Sequence, residues 1–280
     1  MTGAGGRGRG DTDALRQQTI ADFGDQWTRY TSNDGFYGSQ ELFADILNGL
    51  LASADFRDRR VLDIGSGTGR IVQMALGAGA EQVTAVEPSD AHDVLVRNVA
   101  SLPPEMASRV RSLRCAGEEL PADVSADIAL SIGVLHHIPD PAPVVARVRE
   151  ALAPGGRLLV WLYGKEGNGL YLALVLPLRA VTRRLPHALL SAVVWLLYGG
   201  LVAYRQLCRL APLPLGDYLE NALFRMSPDK RRLVIYDQLN PAYAKYYTRA
   251  EAISLLERQG FRNVRAASRR GYSWTVVGER

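Results

Sequence analysis

The chain has 280 residues, 47% of them hydrophobic and 22% charged, enough apolar material for a large buried core and too much for a disordered chain. Its net charge of +4 permits nucleic-acid or anionic-membrane contact, but the excess is modest and without a long basic run, so charge alone decides neither. Cys115 and Cys208 are far apart and match no metal-ligand spacing, which predicts free thiols in a reducing compartment, the cytoplasm by default, and no metal site.

Taken in order, the chain opens on MTGAGGRGRGDT, rich in glycine and with no apolar core of the kind a signal peptide needs. Residues 1–18 are expected to form a disordered tail. Thr19 to Ser39 mixes aromatics with turn formers. Leu42, Phe43, Ile46, Leu47 and Leu50 then fall at helical spacing and predict a helix over Glu41 to Leu51.

The next stretch, VLDIGSGTGR from Val61 to Arg70, reads as a strand running into a glycine turn and a helix. Val61, Leu62 and Ile64 suit a strand buried on both faces. Gly65, Gly67 and Gly69 let the backbone turn sharply and approach a ligand. A pyrophosphate-binding turn reads G-x-G-x-x-G; here the spacing is G-x-G-x-G and an acid, Asp63, precedes it. That acid would repel an anion and could hold an ammonium group. Glu87 ends the apolar run Val83 to Val86, 18 residues past Gly69, where a carboxylate can accept from both hydroxyls of a ribose. Pro88 and Ser89-Asp90 follow as a helix start.

Ribose without diphosphate, plus a charged amino group, describes S-adenosylmethionine. At these residues the sequence resembles the class I S-adenosylmethionine-dependent methyltransferases, over Val61 to Tyr163 and again over Thr248 to Gly278. The resemblance implies a seven-stranded, doubly wound α/β sheet, Rossmann-like, with a C-terminal antiparallel hairpin. It implies a cofactor site of Asp63, Gly65, Gly67, Gly69, Glu87 and Pro88. Trp27, Tyr30, Phe36 and Tyr37 resemble the segment that closes over the cofactor in such enzymes; alternatively they staple the first helix to the core.

Arg109 to Cys115 alternates as a third strand, and AGEELP follows. Many relatives carry an aspartate for the adenine amino group where this chain has Ala116, so the resemblance shifts that contact to the backbone of Gly117 and the carboxylate of Glu118. Asp127 to Pro141 reads as a buried strand and a turn, with Ser131 and Gly133 at the cofactor pocket. Exocyclic-amine methyltransferases carry an N/D/S-P-P-Y/F motif there; S-I-G-V in this chain argues against methylation of nucleic-acid bases. His136 and His137 come next. His137 either accepts a hydroxyl proton, its ordinary pKa being ~6.5, or holds the backbone beneath the helix that follows over Ala142 to Leu152. A Pro-Gly-Gly turn leads into a fifth strand ending near Tyr163.

Residues 164–247 form an insert between residues 19–163, the cap and cofactor part, and residues 248–280, the rest of the methyltransferase domain. Its first half is leucine-rich and includes an uncharged run of 17 residues, Ala188 to Tyr204. That run falls just under the ~18 residues of a spanning helix, and Gly199-Gly200 is expected to interrupt it. LVIYDQLNPAY imitates a strand followed by the amine motif but lacks its second proline. Asp237 and Tyr243 match a D-x-x-S/N-P-x-Y element found in glycan and natural-product pathways, which makes Tyr243 a candidate at the substrate. Thr248 and Glu251 form a capping box for a helix ended by Gly260, and an Arg-Arg-Gly turn joins the last two strands.

The expected activity is methyl transfer from S-adenosylmethionine to a small molecule, most simply at oxygen, with carbon or nitrogen acceptors on the same scaffold as the alternative. A non-catalytic cofactor- or partner-binding protein is the reading from another class. The expected partners are a small, apolar acceptor and no nucleic acid, with peripheral contact to a membrane through the insert as a further expectation; oligomeric state is not encoded legibly.

Overall fold

β1 (Arg60–Ile64) is an inner strand of the sheet, and every residue from Val61 to Ile64 is buried. In the computed structural model, which describes residues 9–280, β2 (Gln82–Val86), β3 (Val110–Leu113), β4 (Ala126–Ile132) and β5 (Leu152–Tyr163) run parallel to it. β6 (Arg262–Arg269) and β7 (Ser273–Glu279) form the closing hairpin, β7 antiparallel to both β5 and β6. The order is β3-β2-β1-β4-β5-β7-β6. Strand order reverses between β1 and β4, and the carboxyl edge at such a switch is where an open α/β sheet binds ligand.

Neighbouring residues on β1 feed opposite cores. Val61 packs with Phe43, Phe56, Leu47 and Met74 on one face. Leu62 packs with Val145, Val148, Leu158 and Leu256 on the other. Both faces are covered, hence the apolar Val61, Leu62 and Ile64, broken only by Asp63. The covering elements include α2 (Gln40–Leu47), α3 (Arg70–Gly77), α4 (Ala91–Ala100), the short α5 (Pro104–Ala107) and α6 (Ala142–Ala151).

The chain ahead of α2 departs from expectation. Residues 1–8 of the expected tail lie outside the described residues, but residues 9–18 are not a tail: α1 runs from Arg9 to Arg29. Arg16, Thr19, Ile20, Phe23 and Trp27 recur at helical spacing and all line the same cavity. This helix packs on α4 and is tied to Asp237 by Gln26 and to Ala242 N–H by Asp22, and its cavity face is too mixed in polarity to advertise itself as an apolar stripe.

The insert consists of α7 (Gly169–Thr182), α8 (His187–Leu210), α9 (Gly216–Asn221) and α10 (Pro228–Leu239). Its ends are pinned together at the sheet. Tyr247 N–H donates to Tyr163 O and Lys165 N–H to Tyr247 O, each at 2.8 Å, and Gly164 bridges Tyr247. The glycine pair 199–200 does not interrupt α8, which is continuous over 24 residues. Glycine costs about 1 kcal/mol in a helix, and the inner face, where Leu190 and Val194 pack on Ile235, Tyr236 and Leu239, offsets it. The stretch that imitated a strand is the end of α10. α11 (Arg249–Glu257) starts at the capping box: Glu251 N–H donates to Thr248 Oγ1 at 3.2 Å and Thr248 N–H to Glu251 Oε2 at 2.9 Å.

Candidate cofactor and acceptor site

A cavity of about 900 Å³ opens at the carboxyl ends of β1, β4 and β5, near the top of the ~300–1,000 Å³ usual for small-molecule sites. One end is built by the glycine turn. Gly67 has φ +52°, and a Cβ there would point at the Trp27 indole 3.5 Å away, into the gap between turn and α1. Gly65, at φ +74°, leaves no room for a Cβ beside Val134. Glu87 braces the turn from β2: its Oε2 accepts from Gly67 N–H at 2.8 Å, and its Oε1 from Ser89 N–H at 3.0 Å and Ser89 Oγ at 2.5 Å. Oε1 thus has both lone pairs engaged, while Oε2 keeps one for a ligand.

Asp63 lies two residues before Gly65 and is buried, with Oδ2 finding no hydrogen-bond partner among the described residues. Burial pushes its pKa from 3.8 up to about 7, only partly opposed by Ser66 and the charge of Arg70. Arg70 stacks over Tyr37, 4.4 Å from its centroid. Ala116, Gly117 and Glu118, expected at the adenine, line the wall, and Glu118 is ion-paired to Arg16 of α1.

At the other end His137 follows the β4 turn. Its Nδ1 lies 2.9 Å from Tyr243 O; a carbonyl only accepts, so Nδ1 carries the proton and Nε2 presents its lone pair. Nε2 is buried without a partner among the described residues. Burial lowers the His137 pKa below 6.5, against the charge of Asp237, and the ring is therefore neutral at pH 7. Tyr163, at the end of β5, packs edge-on to it with centroids 5.5 Å apart. The Tyr163 hydroxyl donates to Asp237 Oδ2 at 2.8 Å and accepts from Gln238 Nε2 at 2.7 Å. Gln26 of α1 donates to the other Asp237 oxygen at 3.1 Å. From α7, Tyr171 OH donates to Gln238 Oε1 at 2.7 Å and Arg179 Nη2 to Tyr246 OH at 2.9 Å. Burial, with Asp237 beside it, holds the Tyr163 hydroxyl protonated.

Of the residues expected at the site, Gly65, Gly67, Glu87, Pro88, Gly117, Glu118, Gly133 and His137 line this one cavity. Asp63 and Ser131 are buried behind its wall, each 1% exposed and each with an oxygen lacking a partner. Gly69 stands at the start of α3. Tyr243 reaches the site through its carbonyl on His137, while Tyr246 supplies the ring in the cavity wall. Tyr163, Tyr171, Arg179 and Gln238 were not singled out from sequence. Tyr163 carried a usable signal, its place at the carboxyl end of a parallel strand.

Comparison with known proteins agrees with this geometry. Residues 62–158 match a family model described as a methyltransferase domain. The chain therefore carries a methyltransferase domain on the class I S-adenosylmethionine-dependent methyltransferase fold. The fold is shared with the pyocyanin biosynthetic protein PhzM (18% identity, TM-score 0.52, covering 86% of this chain and 55% of that one). It is shared too with a Burkholderia thailandensis 1,6-didemethyltoxoflavin-N1-methyltransferase (18%, 0.51, 100% and 93%). In sequence the chain resembles tRNA U34 carboxymethyltransferases of Idiomarina loihiensis, 31% identical over 115 residues, and Cellvibrio japonicus, 34% over 122. These alignments cover 41% of this chain and 36% and 37% of the two relatives, little more than a third of their length. S-adenosylmethionine is the cofactor of such domains, and the pocket fits it: a buried carboxylate oxygen at Asp63 with no partner among the described residues, a backbone cradle at Gly67 that a Cβ would fill, and an acceptor at Glu87 Oε2.

Proposed function

We propose that this methyltransferase moves the methyl group of S-adenosylmethionine to a hydroxyl oxygen of a small, largely apolar acceptor. When bound, the cofactor supplies an electrophilic methyl on a sulfonium. Glu87 takes a ribose hydroxyl at Oε2, Gly117 and Glu118 meet the adenine, and the charge of Asp63 favours the ammonium group. Arg70, in the wall beside Tyr37, faces the ligand as a cation for its carboxylate.

The observation that carries the choice of oxygen is the His137 imidazole, neutral and oriented, with Nδ1 fixed on Tyr243 O and Nε2 left as an acceptor. An acceptor hydroxyl beside Nε2 gives up its proton there as its oxygen takes the methyl. Most of the rate enhancement is assigned to alignment, because transfer from a sulfonium needs little else once donor and acceptor are in line. The Tyr163–Asp237–Gln238 network supports that alignment by tying α1, β5 and α10 into one wall.

A nucleotide acceptor is the second reading, favoured by the names of the relatives matched in sequence. Incubation with methyl-labelled donor separates the two, using an organic-solvent extract and total RNA of the source organism in parallel. Label in a solvent-soluble product, placed on oxygen by mass spectrometry, supports the proposal. Label in RNA supports the second reading, label on nitrogen or carbon corrects the acceptor atom, and donor binding without turnover in either fraction would leave a non-catalytic binding protein.

A further inference from the structure

The insert shows two faces of opposite use. The inner face of α8 packs on α10, while the outer face carries Leu189, Ala192, Leu196, Ala203, Leu207 and Leu210 at helical spacing, all exposed. Alongside it, α7 exposes Leu174, Leu176 and Val181. α8 has a mean hydropathy of 1.6 over its most apolar window, of which only 11% is buried, so it is not the core helix of a soluble bundle. An apolar surface of this extent marks an interaction site.

Two residues belong to both this surface and the cavity. Leu174 is 66% exposed and Leu196 77% exposed, and both line the cavity wall. The pocket therefore opens between α7 and α8 onto the apolar face itself. Charge selects the occupant. From Gly167 to Gly216 the chain has five arginines and no carboxylate. Arg183 and Arg184 stand exposed at the α7–α8 turn; Arg209, exposed at the far end of α8, is paired with Glu220 of α9, as is Arg205, and Arg179 is buried. An apolar stripe with arginines at its ends is the pattern of a helix lying in the headgroup region of an anionic bilayer. Trp195, 56% exposed and stacked under the Arg232 guanidinium at 3.9 Å, sits as interfacial tryptophans do.

A 24-residue helix is about 36 Å long and could span by length alone. Its partners keep it flat. His187 Nδ1 lies 3.0 Å from Tyr236 OH at one end, and Arg205 pairs with Glu220 at 2.6 Å near the other. Both ends are thus held on the same face of the catalytic unit, through α10 and α9.

We infer that the α7–α8 face docks on an anionic phospholipid bilayer and that the acceptor enters from the lipid phase, its apolar tail lying between Leu174 and Leu196. The acceptor class rests on the proposed methyl transfer; the docking does not. The full chain is tested by co-sedimentation with vesicles of phosphatidylcholine and phosphatidylglycerol at low salt, and by the fluorescence shift of Trp195. Binding is expected with anionic vesicles, weaker with phosphatidylcholine alone and weaker at high salt. Leu189→Glu/Leu207→Glu, neither residue in the cavity wall, should reduce it roughly tenfold or more while calorimetric binding of S-adenosylmethionine is unchanged. The wild-type shift, absent in Trp195→Phe, provides the same readout if the double variant does not fold. A protein that stays in the supernatant with an unshifted spectrum, while still binding S-adenosylmethionine, overturns the docking and leaves the methyltransferase reading intact. A dimer that the double variant dissociates, with no vesicle binding, also overturns it by assigning the face to a second copy.

Discussion

Asp63→Asn is expected to stabilise the ligand-free protein above pH 7 and to weaken its hold on the cofactor. The carboxyl is fully buried, and its pKa rises from 3.8 to about 7, chiefly by desolvation. At about 1.36 kcal/mol per pKa unit this corresponds to on the order of 4 kcal/mol. The sign follows from proton binding. Between pH 4 and 7 the native state holds a proton that the unfolded chain has released, so stability is fully present below pH 4 and is lost as pH rises toward 7. Asparagine has no such dependence, though its unpaired amide donor costs ~1–3 kcal/mol, leaving a net gain of about 2 kcal/mol at pH 8. Denaturant unfolding of both proteins at pH 5 and pH 8 measures it, and the gain should shrink or reverse at pH 5. Calorimetry of the same pair should show S-adenosylmethionine binding weakened by roughly a hundredfold, a lost charge-assisted contact being worth ~1.5–3 kcal/mol. Equal stability at pH 8 together with unchanged affinity would refute both the buried charge and its role.

His137→Ala should lower kcat about a hundredfold with cofactor affinity unchanged; because burial lowers the imidazole pKa, the wild-type rate should fall only below pH 6.5 and lie flat above pH 7, and the variant should lose that acid limb. Normal turnover in the folded fraction of a destabilised variant would restrict His137 to its bond with Tyr243. Asp237→Asn should raise KM for the acceptor about tenfold or more, with donor Kd unmoved, and destabilise by ~1–3 kcal/mol; steady-state kinetics beside calorimetry separates the two. Leu190→Ala, in the α8–α10 core, should cost ~2–5 kcal/mol and open the insert to limited proteolysis, as gel electrophoresis would show.

Sequence carried the sheet and the glycine turn well, because both are written locally. The two-faced burial of β1 appears as apolar Val61, Leu62 and Ile64 around Asp63, the Gly67 conformation as a glycine, and the α11 start as Thr248 with Glu251 three residues on. α1 was missed because the face it presents to the cavity mixes Arg16 and Thr19 with Ile20, Phe23 and Trp27, and its partners, α4, Asp237 and Ala242, lie far along the chain. α8 was expected to break at Gly199-Gly200, yet long-range packing on α10 keeps the helix intact. The acceptor wall was least legible: Asp237 and Tyr163 are 74 residues apart, and only folding makes them partners.

Calorimetric titration of the wild-type protein with S-adenosylmethionine and, separately, with NAD, alongside Gly67→Val, tests the central assignment most directly. One site for the methyl donor, weak or no binding of NAD, and loss of donor binding in the variant, whose side chain would fill the gap beneath Trp27, are the results predicted. NAD binding more tightly than S-adenosylmethionine would contradict it.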